Sequence, residues 1–179
     1  MIERNITHIV LHCSATRSGQ NIGRKEIHDW HVERGFAEIG YHFVVRRTGR
    51  IETGRDIAKK GAHAKGFNSA SIGICVVGGL ATLLEKPSPM DNFTPASMNA
   101  AAKLVLKLMT EHDIRLANVL GHNEVVAEIT RAAPTACPVF SMNAFRERVS
   151  TLVFDRDAHG WGLGMADDDE FKAAQKADS

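Results

Sequence analysis

The stretch "ITHIVLHC", residues 6–13, is apolar and rich in β-branched side chains. A strand with one face in water alternates apolar and polar residues, whereas a strand covered on both faces reads as a nearly continuous apolar run. The expectation is a central strand in a sheet with helices on both sides, and the rest of the chain supplies those partners. After the polar turn "SATRSGQN", "GRKEIHDWHVERGF" places Ile27, Trp30 and His31 at helical spacing and stops at Gly35. "YHFVVRRTGRIETG" reads as two short strands joined through Thr48 and Gly49, and "SIGICVVGG" as a second buried strand ended by paired glycines. In "TPASMNAAAKLVLKLMTEH", Thr94 is a cap, Pro95 suits the first turn, and Met98, Ala101, Val105 and Leu108 form one stripe of a helix. "ANVLGHNEV" reads as a short strand running into a loop. "SMNAFRERVSTLV" reads as a closing helix capped by Ser141, with Met142, Phe145, Val149 and Leu152 facing inward. The fold class is therefore α/β: a single domain over residues 1–154 with a mixed central β-sheet flanked by helices. Residues 155–179, with "ADDDE" and "KAAQKADS", read as a mobile or loosely docked tail.

Composition narrows the function classes. The chain has 179 residues, 44% of them apolar and 24% charged, enough for one buried core. Its 22 Lys and Arg against 21 Asp and Glu leave a net charge of +1, which does not point to nucleic acid or an anionic surface as the main ligand. "MIERNITHIVLHC" has charges at once and no long apolar run, so neither a signal peptide nor a membrane span is expected. Three cysteines, Cys13, Cys75 and Cys137, are too few and too odd for a disulfide framework.

His12 stands at the end of the first strand, His122 just after the later short strand, and Cys137 on the loop "PTACPVF" between Pro134 and Pro138. Strand ends are where sites gather in α/β sheets. Two imidazoles and one thiolate suit zinc and leave a fourth position open for water, which is the catalytic arrangement. Cys13 is excluded from that site because adjacent strand residues point to opposite faces. On residue type alone, nine histidines allow many pairs, and a satisfied strand-end histidine with an inert core thiol is the favoured reading.

The blocks "IVLHCSAT", "GYHFVVRRTGRIETGRD", "GAHAKGFNSASIGICVVGG", "NFTPASM", "GHNEV" and "PTACPVF" resemble, in order and context, the type 2 N-acetylmuramoyl-L-alanine amidases. That family includes the peptidoglycan recognition proteins, and the chain is similar in particular to amidase-type lysozymes of T7-like phages. The resemblance spans roughly residues 5–153. It implies one zinc ion held by His12, His122 and Cys137, with Tyr41 as a catalytic residue and the two prolines restraining the cysteine loop. It implies hydrolysis of the amide between N-acetylmuramic acid and L-alanine in peptidoglycan, by an endolysin. That enzyme would be made in the host cytoplasm and reach the wall after the membrane is permeabilised.

Two departures from the phage lysozymes stand out. Thr135 takes the place of a lysine beside the zinc cysteine, and residues 123–136 form a longer stretch, expected to make a lip on the groove. His63, Asn68 and His42 are candidate substrate contacts by analogy, with turn formation as the plainer role of Asn68 and with His42 facing away from Tyr41 if the strand is regular. Glu124 and Glu128 are candidate acids or bases, although loop carboxylates are usually only solvated. His8, His28, His31, His112 and His159 are expected on the surface or in packing. A non-catalytic peptidoglycan-binding module of the same fold is a rival reading, as is regulation by binding an RNA polymerase. The presence of Cys137 favours the enzyme, which is expected to be a monomer without nucleic acid partners.

Overall fold

The computed structural model describes residues 4–80, 91–128 and 134–159. The first strand, β1 (His8–Cys13), is buried from Ile9 onward and lies between two parallel neighbours. These are β4 (Ser71–Val76) and β5 (Val119–Gly121); the hairpin of β2 (Phe43–Val45) and β3 (Ile51–Thr53) completes a sheet of order β3-β2-β4-β1-β5. Only β3 runs antiparallel, so the sheet is mixed. The hairpin turns at Gly49, whose φ of +87° is a conformation an L side chain rarely takes.

Strand alternation sorts the core into two layers. On one side Ile9 and Leu11 of β1, with Ile72, Ile74 and Val76 of β4, pack against α2 (Pro95–Glu111) and α4 (Met142–His159). Ala101, Val105 and Leu108 of α2 and Phe145 and Val149 of α4 are at most 2% exposed, the stripes expected from the helical spacing. On the other side Val44, Cys75 and Val77 meet Ile22, Ile39 and Ile27 of α1 (Arg24–Glu33), while Val10 meets Ala64 and Val125 of α3 (His122–Glu128). Thr94 caps α2 by accepting the Ser97 amide at 3.1 Å, and Ser141 caps α4 by accepting the Ala144 amide at 3.3 Å. Among the described residues no helix is long and apolar enough to cross a membrane.

Two expectations are corrected. β5 runs without a loop into α3, because the Glu124 carboxylate turns back to accept the Gly121 amide at 2.8 Å and so satisfies the chain where strand becomes helix. The stretch after His122 consequently begins as a helix docked on β1 through the buried Val125, and residues 129–133 of the expected lip lie outside the described residues. The closing helix also runs on to His159, past the boundary drawn at residue 154, and the remainder of the tail lies outside the described residues.

Candidate metal centre

His12 shares a face of β1 with Val10, so alternation turns its imidazole to the α1 and α3 side and the Cys13 side chain to the opposite face. Parallel pairing of Leu11 with Gly121 then brings the next residues of the two chains, His12 and His122, side by side. Their ring centroids are 4.5 Å apart. The site is built at the C-terminal ends of parallel strands, where a sheet of this kind opens.

The cysteine loop is pinned by its backbone. The Asn123 amide donates to the Cys137 carbonyl at 2.7 Å, the Val139 amide to the Ala136 carbonyl at 2.7 Å, and the Cys137 amide to the Thr135 hydroxyl at 3.2 Å. Val139 is held at a φ of +78°, a strained position for a β-branched residue. The Cys13 amide donates to the Cys137 sulfur at 3.3 Å, a bond that by itself favours a thiolate, whereas the neighbouring Cys13 thiol and burial push the Cys137 thiol well above its ordinary value. Cys13, which alternation turns away from the site, thus reaches the Cys137 sulfur through its backbone amide, and its thiol lies beside that of Cys137 as well. One donor atom from each of His12, His122 and Cys137 lies within 4.8 Å of the others.

Desolvation, reinforced by the neighbouring His63 and His122, holds His12 well below the usual imidazole pKa; desolvation lowers that of His122 as well. Both rings are therefore neutral near pH 7, the form a metal requires. The donor set, two neutral imidazoles and a sulfur, fits zinc.

Tyr41 lies beside this cluster, its ring centroid 5.0 Å from that of His12 and 5.2 Å from that of His31. Burial raises its phenol well above the ordinary value, with the nearby cysteines adding to the shift, so the hydroxyl stays a donor. Thr135 is half-buried next to Cys137, its oxygen accepting the cysteine amide and its proton still available.

The other candidates are placed differently. His42 is fully buried, its Nδ1 accepting the Gly73 amide at 2.9 Å and its Nε2 donating to the Lys59 carbonyl at 3.1 Å, so it has nothing to offer a substrate. Asn68 spends its side-chain oxygen on the amides of His63 and Ala64, both at 2.8 Å, which is the turn-forming role. His63 points inward to His12, with 3.0 Å between its Nδ1 and the Nε2 of His12. Glu124 is paired with Arg146, at 3.0 and 2.9 Å, leaving no free carboxylate for proton transfer; Glu128 is exposed at the end of α3. Sequence reasoning missed the contact of His63 with His12. Its one signal is Gly73 inside β4, since a glycine within a strand marks close approach by another group.

His31 and His42 are buried neutral, each lowered from 6.5 to about 4, chiefly by desolvation. His31 accepts the Gly40 amide at 2.8 Å, and Arg4 stands 3.2 Å from His42, opposing its protonation. The unfolded chain binds these protons below about pH 6.5 and the folded chain only near 4, so stability is full above 6.5 and falls as pH drops through that window. Melting temperature followed from pH 7 to 4 in chelator is expected to decline over this range; a flat profile contradicts the assignment.

A model of the N-acetylmuramoyl-L-alanine amidase family matches residues 3–139. The chain belongs to this amidase family. The amidase is 40% identical over 148 residues to the endolysin of Escherichia phage T7, spanning 83% of this chain and 90% of that one. It is 39% identical over 149 residues to the endolysin of Klebsiella phage KP32, spanning 83% and 91%. Among solved structures, the N-acetylmuramoyl-L-alanine amidase LysC of Clostridium intestinale URNW superposes with a TM-score of 0.65 at 26% identity, covering 82% of this chain and 86% of that one. Drosophila PGRP-LB superposes at 0.56 and 27% identity, covering 76% of each chain.

Proposed function

We propose that this amidase is a zinc-dependent phage endolysin, and that His12, His122 and Cys137 hold the ion. It hydrolyses the amide joining the lactyl group of N-acetylmuramic acid to L-alanine in peptidoglycan. The observation that carries the proposal is the convergence of two neutral imidazoles and one sulfur within 4.8 Å at the C-terminal ends of the parallel strands β1 and β5. Three protein ligands leave a position for water or substrate.

When bound, zinc supplies Lewis acidity, polarising a carbonyl and making water acidic enough to attack at neutral pH. The chain's own groups do the rest. Tyr41, protonated and beside the ligands, donates to the oxygen that gains charge as the amide carbonyl is attacked. Thr135 keeps Cys137 in place through the cysteine amide and has one neutral donor left for the same oxygen. The Cys13 amide donates to the Cys137 sulfur and would help it carry the charge of a thiolate when the ion is bound. The catalytic domain is proposed to cover residues 1–154, with its closing helix running on to His159.

The purified protein is expected to contain about one zinc per chain and to clear permeabilised Gram-negative cells. Chelation should stop the clearing and added zinc restore it. Clearing that continues at full rate in strong chelator with no metal bound refutes the proposal.

A further inference from the structure

We infer that His63 is a positioning residue for the metal centre, holding the His12 imidazole in the tautomer and orientation that presents its Nδ1 to the ion. The inference rests on the zinc reading above. His12 has two ring nitrogens, and only one faces the ligand cluster. Nδ1 lies 3.8 Å from the Cys137 sulfur, while Nε2 lies 3.0 Å from Nδ1 of His63.

The hydrogen-bond chain behind this contact has one consistent direction. Ser71 spends its single hydroxyl proton on the Phe67 carbonyl at 2.8 Å. Its oxygen therefore only accepts from Nε2 of His63, 3.4 Å away, which places the His63 proton on Nε2 and a lone pair on Nδ1. That lone pair accepts the Nε2 proton of His12. The Nδ1 of His12 is thereby left unprotonated and aimed at the metal position, as a ligating histidine requires.

The backbone is shaped around the same ring. A Cβ on Gly73 would stand 2.4 Å from Cδ2 of His63, and one on Gly61 would stand 2.6 Å from it. Glycine inside a strand weakens it, so the bare position in β4 has a use: it admits the imidazole edge-on to His12, at a centroid separation of 5.1 Å and an interplanar angle of 84°. Asn68 fixes the segment from below by accepting the amides of His63 and Ala64. A ring that merely filled space would need neither the lone pair nor the matched proton donors.

The test is the zinc dissociation constant by chelator competition, with the absorption spectrum of the cobalt-substituted protein as a second readout and melting in chelator as a check on folding. His63→Leu removes the acceptor and is expected to weaken zinc about 10- to 100-fold and to shift the cobalt bands. His63→Asn, whose Oδ1 stands where Nδ1 was, is expected to recover most of that affinity. Ser71→Ala keeps the ring but frees its tautomer; a few-fold loss of zinc affinity at unchanged melting is expected, and this variant decides the matter if His63→Leu does not fold. Wild-type affinity in the folded variants, with the wild-type protein binding zinc normally, overturns this inference alone. A wild-type protein that binds no zinc overturns both it and the function on which it rests.

Discussion

Cys137→Ser is expected to lose both zinc and lytic activity. Serine keeps the shape of the side chain but not its acidity, and an un-ionised hydroxyl is a poor replacement for a thiolate on zinc. Two imidazoles alone cannot close the ligand set. A loss of about 4 kcal/mol of stabilisation corresponds to about three orders of magnitude in rate. The fold should survive, because the loop is held by the bonds from Asn123 to the Cys137 carbonyl and from Val139 to Ala136, none of which uses the sulfur. Metal analysis and cell clearing by the same preparation check this result. Stoichiometric zinc in Cys137→Ser means that the sulfur is not a ligand.

Tyr41→Phe is expected to reduce kcat about 100-fold while leaving zinc content and melting unchanged. The phenol carries no hydrogen bond to another described residue that would be broken, so its removal should cost the transition state and not the fold. Loss of one donor to a developing oxyanion is commonly worth about 3 kcal/mol. Thr135→Ala should cost less, about tenfold, because the remaining charge is carried by the ion and Tyr41. Thr135→Ser should stay near wild type. Thr135→Lys separates the two tasks of that residue: lysine brings a stronger, charged donor but no acceptor for the Cys137 amide. Turnover at or above wild type with full zinc assigns the residue to the oxyanion. Full zinc, an intact fold and no turnover would assign it to the loop bond instead. A Tyr41→Phe protein with wild-type kcat removes Tyr41 from the mechanism.

What was legible in the sequence follows from how local the cause was. β1 and β4 were readable because burial on both faces writes an unbroken apolar run, and α2 because cap, first-turn proline and stripe agree. Alternation on β1 sends the side chains of His12 and Cys13 to opposite faces, yet it is silent about backbone groups and about the loop that packs against the strand end, so the Cys13 amide and thiol beside the Cys137 sulfur were out of reach. The direct passage from β5 into α3 was missed because its cause, the Glu124 carboxylate on the Gly121 amide, follows the helix start rather than preceding it as a cap does. The ligand trio was suggested by residue types and by family resemblance, while its convergence depends on the register of β1 against β5, which no short motif records. His42 and His63 sit in blocks of equal resemblance. Only the packing tells them apart, one spent on Gly73 and Lys59, the other turned toward His12.

The central claim is that a metal centre of His12, His122 and Cys137 drives cleavage between sugar and peptide. Mass spectrometry of muropeptides digested by the zinc-loaded protein tests it most directly, with a chelated sample alongside. The expected products are glycan with free lactyl ends and stem peptides with new L-alanine amino termini, absent from the chelated digest. New reducing sugar ends with the stem still attached, or the same amide products at the same rate in chelator, would contradict it.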